Sequence, residues 1–209
     1  FTAPNVCIGT PTTITNNNFS NVTVTGGSGT ANLIYCSSSI THNIVLSNNV
    51  FNNITHSGSA TIYVINATGV NNNQINNNTI SNITTGGSLY GISFSGLNAF
   101  VYNNNIFGLT STTTGSNVVM GISTASITNN STNLNIYNNF ISDIKAPGST
   151  SFSGTSGINA VSGTNVNIFY NTVFLKFTST NATNKSAALS LGDTSPDLVD
   201  IRDNIFVNL

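Results

Sequence analysis

The chain has 209 residues, of which 38% are hydrophobic and only 4% are charged, and its formal net charge at pH 7 is -1. Four lysine and arginine residues are too few for the phosphate or carboxylate contacts of a nucleic-acid or acidic-sugar binder. Uninterrupted apolar runs are only a few residues long, so no segment is expected to cross a bilayer. The composition predicts a soluble protein whose polarity comes from asparagine, threonine, serine and glycine.

The first part of the chain, residues 1–13 (FTAPNVCIGTPTT), shows no repeat, and we expect an irregular segment or cap there. Residues 14–209 carry an internal repeat and are predicted to form a single repeat domain. The repeat centres on asparagine clusters such as INNNTISNI at residues 75 to 83. The second cluster position recurs every 26 to 35 residues and is the anchor of each repeat; the anchors are Asn17, Asn49, Asn78, Asn104, Asn139, Asn171 and Asn204.

Three columns of apolar residues accompany the anchors. The residue three positions before each anchor is aliphatic, and the residues two and five positions after it are apolar except at Lys176. Short alternating bursts rich in Val, Ile, Thr and Asn favour strands over helices. A second burst in each repeat, such as YGISFSG at residues 90 to 96, predicts a further strand. At Lys176 we expect either a bulge or a side chain that turns to solvent, in preference to a buried catalytic lysine.

Between the two bursts of each repeat lies a stretch of variable length rich in Gly, Ser and Thr. These stretches should emerge on one side of the coil, which we name the loop edge: residues 25–31, 56–60, 85–88, 110–117, 145–156 and 177–186. Repeat proteins often bind ligands on such an edge. The alternative is a set of solvated connectors, and the sequence leaves both open.

The repeat I-x-N-N-x-[IF]-x-N-[IVL], with the G-I-S type second strand, resembles the right-handed parallel β-helix family from about Ile14 to the final residue. The resemblance implies an all-β solenoid of about seven laps with a period of roughly 26–35 residues. Equivalent positions of successive laps then stack about 4.8 Å apart. The anchor asparagine is expected to turn a tight corner, where Asn tolerates unusual backbone angles, and to pass amide hydrogen bonds from lap to lap.

Acidic residues crowd the last lap, where Asp193, Asp197, Asp200 and Asp203 lie close in sequence to Arg202. The β-helix family includes polysaccharide lyases and hydrolases, which need paired carboxylates or a calcium site with a basic residue. No two aspartates are adjacent, and the polygalacturonase-type N-T-D, D-D, G-H-G and R-I-K elements are missing. The alternation in PDLVDIRDN favours an exposed strand with a local salt bridge over a catalytic site.

The histidines and cysteines allow two further predictions. His42 and His56 have no acidic or cysteine neighbour at ligand spacing, so they are interpreted as surface residues, and no metal or other cofactor is predicted. Cys7 and Cys36 are about one lap apart, which allows a disulfide. A disulfide would indicate an oxidising, extracellular location. The alternative is two unpaired, buried cysteines.

The chain stops at NIFVNL inside a repeat, so we expect further laps or another molecule after residue 209. The sequence is similar to the Asn- and Thr-rich β-helix regions of secreted bacterial adhesins. This resemblance implies a non-enzymatic, extracellular or cell-surface spacer or filament element. Its expected partners are copies of itself, or a carbohydrate or surface at the loop edge, without nucleic acid or membrane insertion.

Two alternative functions stay open at this point. One is a polysaccharide lyase or glycoside hydrolase with its site at the aspartate-rich last lap. The other is an ice-binding β-helix, which would need threonines in regular columns. The threonines of TVT at residues 23 to 25 and TSTTT at residues 110 to 114 are interpreted as occupying no constant position in the repeat.

Overall fold

The computed structural model describes residues 11–37, 43–69, 71–125, 132–192 and 198–209. These residues form twenty β-strands and no helix, which confirms the all-β prediction. None of them belongs to a helix that would be long and apolar enough to cross a membrane. The chain visits three parallel sheets in turn and then starts again, so the molecule is a parallel β-helix.

Each sheet is built from every third strand of the chain. Sheet 1 contains β1 (Thr12–Thr15), β4 (Ile44–Ser47), β7 (Gln74–Asn76), β10 (Phe100–Tyr102), β13 (Leu134–Tyr137), β16 (Asn165–Phe169) and β19 (Leu198–Arg202). Sheet 2 contains β2 (Asn18–Val24), β5 (Val50–His56), β8 (Thr79–Thr85), β11 (Asn105–Ser111), β14 (Phe140–Lys145), β17 (Thr172–Leu175) and β20 (Ile205–Asn208). Sheet 3 contains β3 (Thr30–Ser37), β6 (Thr61–Thr68), β9 (Leu89–Phe94), β12 (Val119–Thr124), β15 (Ser153–Ala160) and β18 (Lys185–Leu191).

The coil has about six turns, slightly fewer than the seven laps predicted from the anchors. Sheets 1 and 2 contain seven strands each, whereas sheet 3 contains six among the described residues. Counting anchors overestimates the turns, because an anchor marks only the junction between sheets 1 and 2. A complete turn also needs a strand in sheet 3.

The predicted apolar columns fill the interior. Strand register places Leu46 beside Ile75, Ile75 beside Val101, and Val101 beside Ile136. All four side chains have 0% exposure. Because side chains alternate between the two faces of a strand, apolar residues at a fixed position in each lap meet in a single continuous core.

Lys176 turns to solvent because its lap lacks a bend that the earlier laps contain. In the first five laps, the residue four positions after the anchor has a positive φ; these residues are Asn21, Asn53, Asn82, Gly108 and Asp143. Such a residue interrupts the alternation of the strand. Leu175 takes this position in the sixth lap without a positive φ and is fully buried, which leaves Lys176 exposed.

The G-I-S motif of sheet 3 reflects close backbone contact between laps. Gly91, Gly121 and Gly157 occupy successive laps. A Cβ atom on Gly91 would lie 2.5 Å from the carbonyl oxygen of Gly121, and one on Gly121 would lie 2.6 Å from that of Gly157. Only glycine therefore fits at these three positions without displacing the neighbouring lap.

We expect Gly121→Ala to lower the free energy of unfolding by about 1 to 3 kcal/mol, because the methyl group overpacks the core. Besides the Gly157 carbonyl, it would meet the Cγ2 atom of Ile141 at 2.8 Å. Urea unfolding followed by circular dichroism measures the change. Gly148→Ala is the control and should cost less, because its nearest neighbour is 3.0 Å away. Equal stability of Gly121→Ala and wild type would contradict the close approach.

Candidate functional site

The anchor asparagines form a continuous inner ladder from Asn17 to Asn204, as predicted. Each of the first six side-chain amides donates a hydrogen bond of 3.0 Å to the Oδ1 atom of the anchor in the next lap. The backbone N–H of each anchor donates to the same oxygen, at 2.8 to 3.1 Å. The five central anchors are at most 2% exposed. The ladder therefore lies inside the protein and not on a ligand-binding surface.

The inner ladder has a direction. In the middle of the coil, Asn104 Oδ1 accepts from Asn78, while Asn104 Nδ2 donates forward to Asn139. The same Nδ2 group donates backward to the carbonyl oxygen of Ile75 at 2.9 Å. One primary amide thus uses its oxygen and both hydrogens to bond to the preceding lap and the following lap. No other neutral side chain of this size offers the same set of groups.

The tight corner belongs to the residue before the anchor, which corrects the expectation that the anchor itself turns the chain. Positive φ angles of 53° to 60° occur at the seven corner residues, each directly before an anchor: Asn16, Asn48, Asn77, Asn103, Asn138, Tyr170 and Asp203. Asparagine is favoured there because its short side chain tolerates the left-handed conformation. The asparagine cluster thus combines two roles, a turn at its first position and a buried ladder at its second.

A second, outer ladder was not predicted. Asn72 donates to Asn43, Asn98 to Asn72, Asn133 to Asn98, and Asn165 to Asn133, at 2.9 to 3.4 Å between amide nitrogen and oxygen. These side chains are exposed or half-buried at the start of the sheet 1 strands. The sequence contains the signal, because an asparagine stands six residues before five of the seven anchors.

Aromatic stacks on the outer faces were also missed. On sheet 1, the Tyr102 and Tyr137 rings are parallel with centroids 4.9 Å apart, and Phe169 continues the stack at 5.7 Å. The Arg202 guanidinium lies over the Phe169 ring, 5.8 Å from its centroid. Within this stack the rings cover one another's faces, so they stabilise the register between laps and leave mainly edges to solvent.

Sheet 3 carries a pair of stacked tyrosines, Tyr63 and Tyr90, with ring centroids 4.6 Å apart. Burial, together with the neighbouring Tyr63, raises the pKa of Tyr90 to about 12 from an ordinary value of 10.0. Burial also raises the pKa of Tyr63. Both phenols therefore stay protonated to higher pH in the folded chain than in the unfolded chain.

The structure only partly covers the predicted polar and cysteine sites. Asp193, Asp197, His42 and Cys7 lie outside the described residues, so the acidic cluster and the Cys7 to Cys36 disulfide stay predictions. Cys36 itself is buried in the core. Arg202 Nη2 and Asp200 Oδ2 are 2.9 Å apart, which matches the predicted local salt bridge. Asp203 is an exposed corner residue.

His56 was expected at the surface, and that interpretation is wrong. His56 is only 6% exposed, and the Nδ1 atom of its imidazole lies 3.2 Å from the carbonyl oxygen of Gly58. Strand β5 continues through His56, two positions beyond the buried Ile54, so the histidine side chain points to the same, inner face. Among the described residues, no group of three His, Cys, Asp or Glu side chains could hold a metal ion.

One threonine column exists, contrary to the expectation that the threonines occupy no constant position. Thr23, Thr55, Thr84 and Thr110 pair in register across four successive laps of sheet 2. Each stands six residues after its anchor. Two residues before these threonines, the same strands hold Asn21, Asn53, Asn82 and Gly108, so the column has no threonine column beside it on that side. The ice-binding alternative stays a prediction.

The loop edge is ordered by contacts between laps. The N–H of Ser57 donates to the carbonyl of Val24, and the N–H of Gly86 donates to the carbonyl of His56, at 3.1 and 3.2 Å. A Cβ atom on Gly58 would fall on the carbonyl oxygen of Gly27. Glycine at Gly58 therefore lets the neighbouring loop backbones stack directly, like the sheets they connect.

Comparison with protein-family models, with curated proteins and with solved structures gives no match.

We expect Asn104→Ala to lower the free energy of unfolding by about 2 to 4 kcal/mol, because it leaves buried donors and an acceptor without partners in adjacent laps. Asn105→Ala is the matched control one position along the chain, where the side chain is exposed, and it should change stability by about 0.5 kcal/mol or less. Urea unfolding of both variants measures the difference. Similar values for the two variants would show that the ladder does not stabilise the fold.

The stability of the chain should fall as pH rises from 10.0 to about 12. Below this window Tyr90 is protonated in both states, whereas within it the unfolded chain ionises first, which favours unfolding. Urea unfolding across this pH range measures the loss. Tyr90→Phe keeps the stacked ring and removes the titrating group, so its stability should decline less steeply. Identical slopes for the two proteins would exclude a contribution from Tyr90.

Proposed function

We propose that this chain is a rigid structural element of an extracellular or cell-surface protein, a spacer or adhesin stalk built from stacked laps. The observation that carries the proposal is the unbroken inner ladder from Asn17 to Asn204. Every lap is joined to the next by this ladder and by the parallel strand pairs. The resemblance to Asn- and Thr-rich regions of secreted adhesins supports the extracellular location.

A stack of this kind suits a spacer because its contacts run along the coil axis. Each lap touches mainly its two neighbours, so stiffness depends on the interfaces between laps and not on the total length. The inner ladder adds buried hydrogen bonds at one corner, and the aromatic stacks add contacts on the outer faces. A load along the axis would then be shared between three sheets and one ladder.

The direction of the inner ladder gives a rule for extending the stack. Each anchor presents donors to the following lap and an acceptor to the preceding lap. A lap that joins the stack in parallel therefore has to place an Asn oxygen over the donors of the lap before it. We propose that end-to-end contacts, with further laps or with copies of the chain, follow this rule. The loop edge remains a proposed contact surface for a carbohydrate or another surface.

Duplicating one complete lap tests the spacer role. Residues 78–103 span the 26-residue repeat between two anchors and can be inserted again before Asn104. We expect a folded protein with an unchanged or higher thermal midpoint, longer by about one strand spacing of 4.8 Å. Small-angle X-ray scattering measures the length. A glycine and serine insert of equal length at the same point is the control and should lower the midpoint.

An unfolded product of the duplication would contradict the spacer proposal, because a spacer must tolerate a change in lap number. The enzyme alternative stays a prediction, since Asp193 and Asp197 lie outside the described residues. The proposed enzyme site lies at the last lap, and a lap inserted between Asn78 and Asn104 leaves that region unchanged. The duplication therefore tests the spacer role without altering the enzyme site.

A further inference from the structure

One of the seven corner residues differs in chemical type from the others. Six of the seven are Asn or Asp, and the other is Tyr170, with a φ of 58°. Among the described residues, Tyr170 is also the single positive-φ position outside Asn, Asp and Gly. A bulky side chain disfavours this conformation, and such outliers cluster at functional sites. Asparagine would fit this backbone conformation better, so forming the corner does not explain why the residue is a tyrosine.

The Tyr170 ring is exposed and stands apart from the aromatic stack. Its side chain is 58% exposed, and its ring meets Phe169 at an interplanar angle of 77° with centroids 6.0 Å apart. Tyr137 and Arg202 lie against the two faces of Phe169, so Phe169 meets Tyr170 with its edge. One face of Tyr170 therefore meets the edge of Phe169, while more than half of the residue is exposed to solvent.

Polar groups flank this open ring on both sides. Asn138 and Asp203 are the corner residues of the preceding and following laps, and both are exposed. Backbone hydrogen bonds of 3.3 Å, from Asn138 to Phe169 and from Tyr170 to Arg202, keep the three laps in register. The site thus presents an aromatic face between an amide and a carboxylate, each about one strand spacing of 4.8 Å away.

We propose that Tyr170, Asn138 and Asp203 bind a pyranose unit of an uncharged glycan. A pyranose ring has an apolar C–H face that packs on an aromatic ring, and hydroxyl groups at its rim that donate to carboxylates and exchange hydrogen bonds with amides. The charge balance disfavours acidic sugars, because Asp200 already pairs with Arg202 and Asp203 adds a second negative charge. This inference rests on the proposed function as part of an extracellular or cell-surface protein. It places the glycan at the corner between sheets 1 and 2.

Phe152 is an exposed aromatic residue at a different place from Tyr170, so comparing the two distinguishes between possible glycan sites. It is an aromatic residue of the loop edge with 74% exposure and no positive φ. If the glycan bound at the loop edge, Phe152 would be the exposed ring available there. The two positions therefore separate a corner site from a loop-edge site on the same molecule.

The test compares Tyr170→Asn with Phe152→Asn. Asparagine matches the other corner residues, so Tyr170→Asn should keep or raise the thermal midpoint while it removes the ring. The probes are soluble oligosaccharides of glucose, N-acetylglucosamine, mannose and xylose, each at millimolar concentration. Binding is followed by NMR, through saturation transfer to the sugar and shifts of the tyrosine ring signals. We expect at least one probe to bind wild type, Tyr170→Asn to weaken it about tenfold or more, and Phe152→Asn to leave it unchanged.

Tyr170→Phe keeps the ring and should retain binding, which separates loss of stacking from loss of the hydroxyl group. The proposal is overturned if wild type binds none of the four probes, or if Tyr170→Asn binds as wild type does. Loss of binding in Phe152→Asn alone would move the site to the loop edge. None of these results bears on the lap duplication, so the spacer role can fail or stand independently.

Discussion

The fold depends on the need to satisfy buried backbone groups at one corner of the coil. Where the chain passes from sheet 1 to sheet 2, the anchor N–H and nearby carbonyl groups lie inside the protein and cannot reach water. In each lap the anchor amide supplies partners for these buried groups. The amide of Asn104, for example, bonds to Asn78, Ile75 and Asn139. Since each lap supplies the partners of the next, the laps must repeat in register, and the sheets and apolar columns follow from that repetition.

Once the register is set, the outer faces acquire columns of their own. The outer asparagine ladder, the Tyr102, Tyr137 and Phe169 stack, and the threonine column all place like side chains one strand spacing apart. These columns tolerate interruptions, because water can replace a missing partner at the surface. The coil can therefore change its outer residues without losing its fold. Tyr170 uses that freedom at a backbone position that favours asparagine.

The sequence predicted the fold class, the anchors and the apolar columns, because buried positions accept few residue types and so repeat visibly. The outer ladder and the threonine column are harder to detect because both are incomplete: asparagine stands six residues before only five of the seven anchors, and threonine stands six residues after only four of them. His56 opens the HSGSA stretch at residues 56–60, which indicates a loop, whereas β5 extends through the histidine and turns it inward. The positive φ of Tyr170 is a property of the backbone that its letter does not reveal. The candidate glycan site therefore could not be predicted from the sequence, although the column of residues directly before the anchors is visible there.

Amide hydrogen exchange measures most directly whether the inner ladder holds the laps together. The backbone N–H groups of Asn49, Asn78, Asn104 and Asn139 each donate to an anchor oxygen in the next lap. If the ladder joins the laps into one cooperative unit, these groups should be among the slowest to exchange, with opening free energies that approach the value for global unfolding. Fast exchange of the central anchors, while the sheet amides around them stay protected, would show that the ladder opens independently and does not hold the coil together.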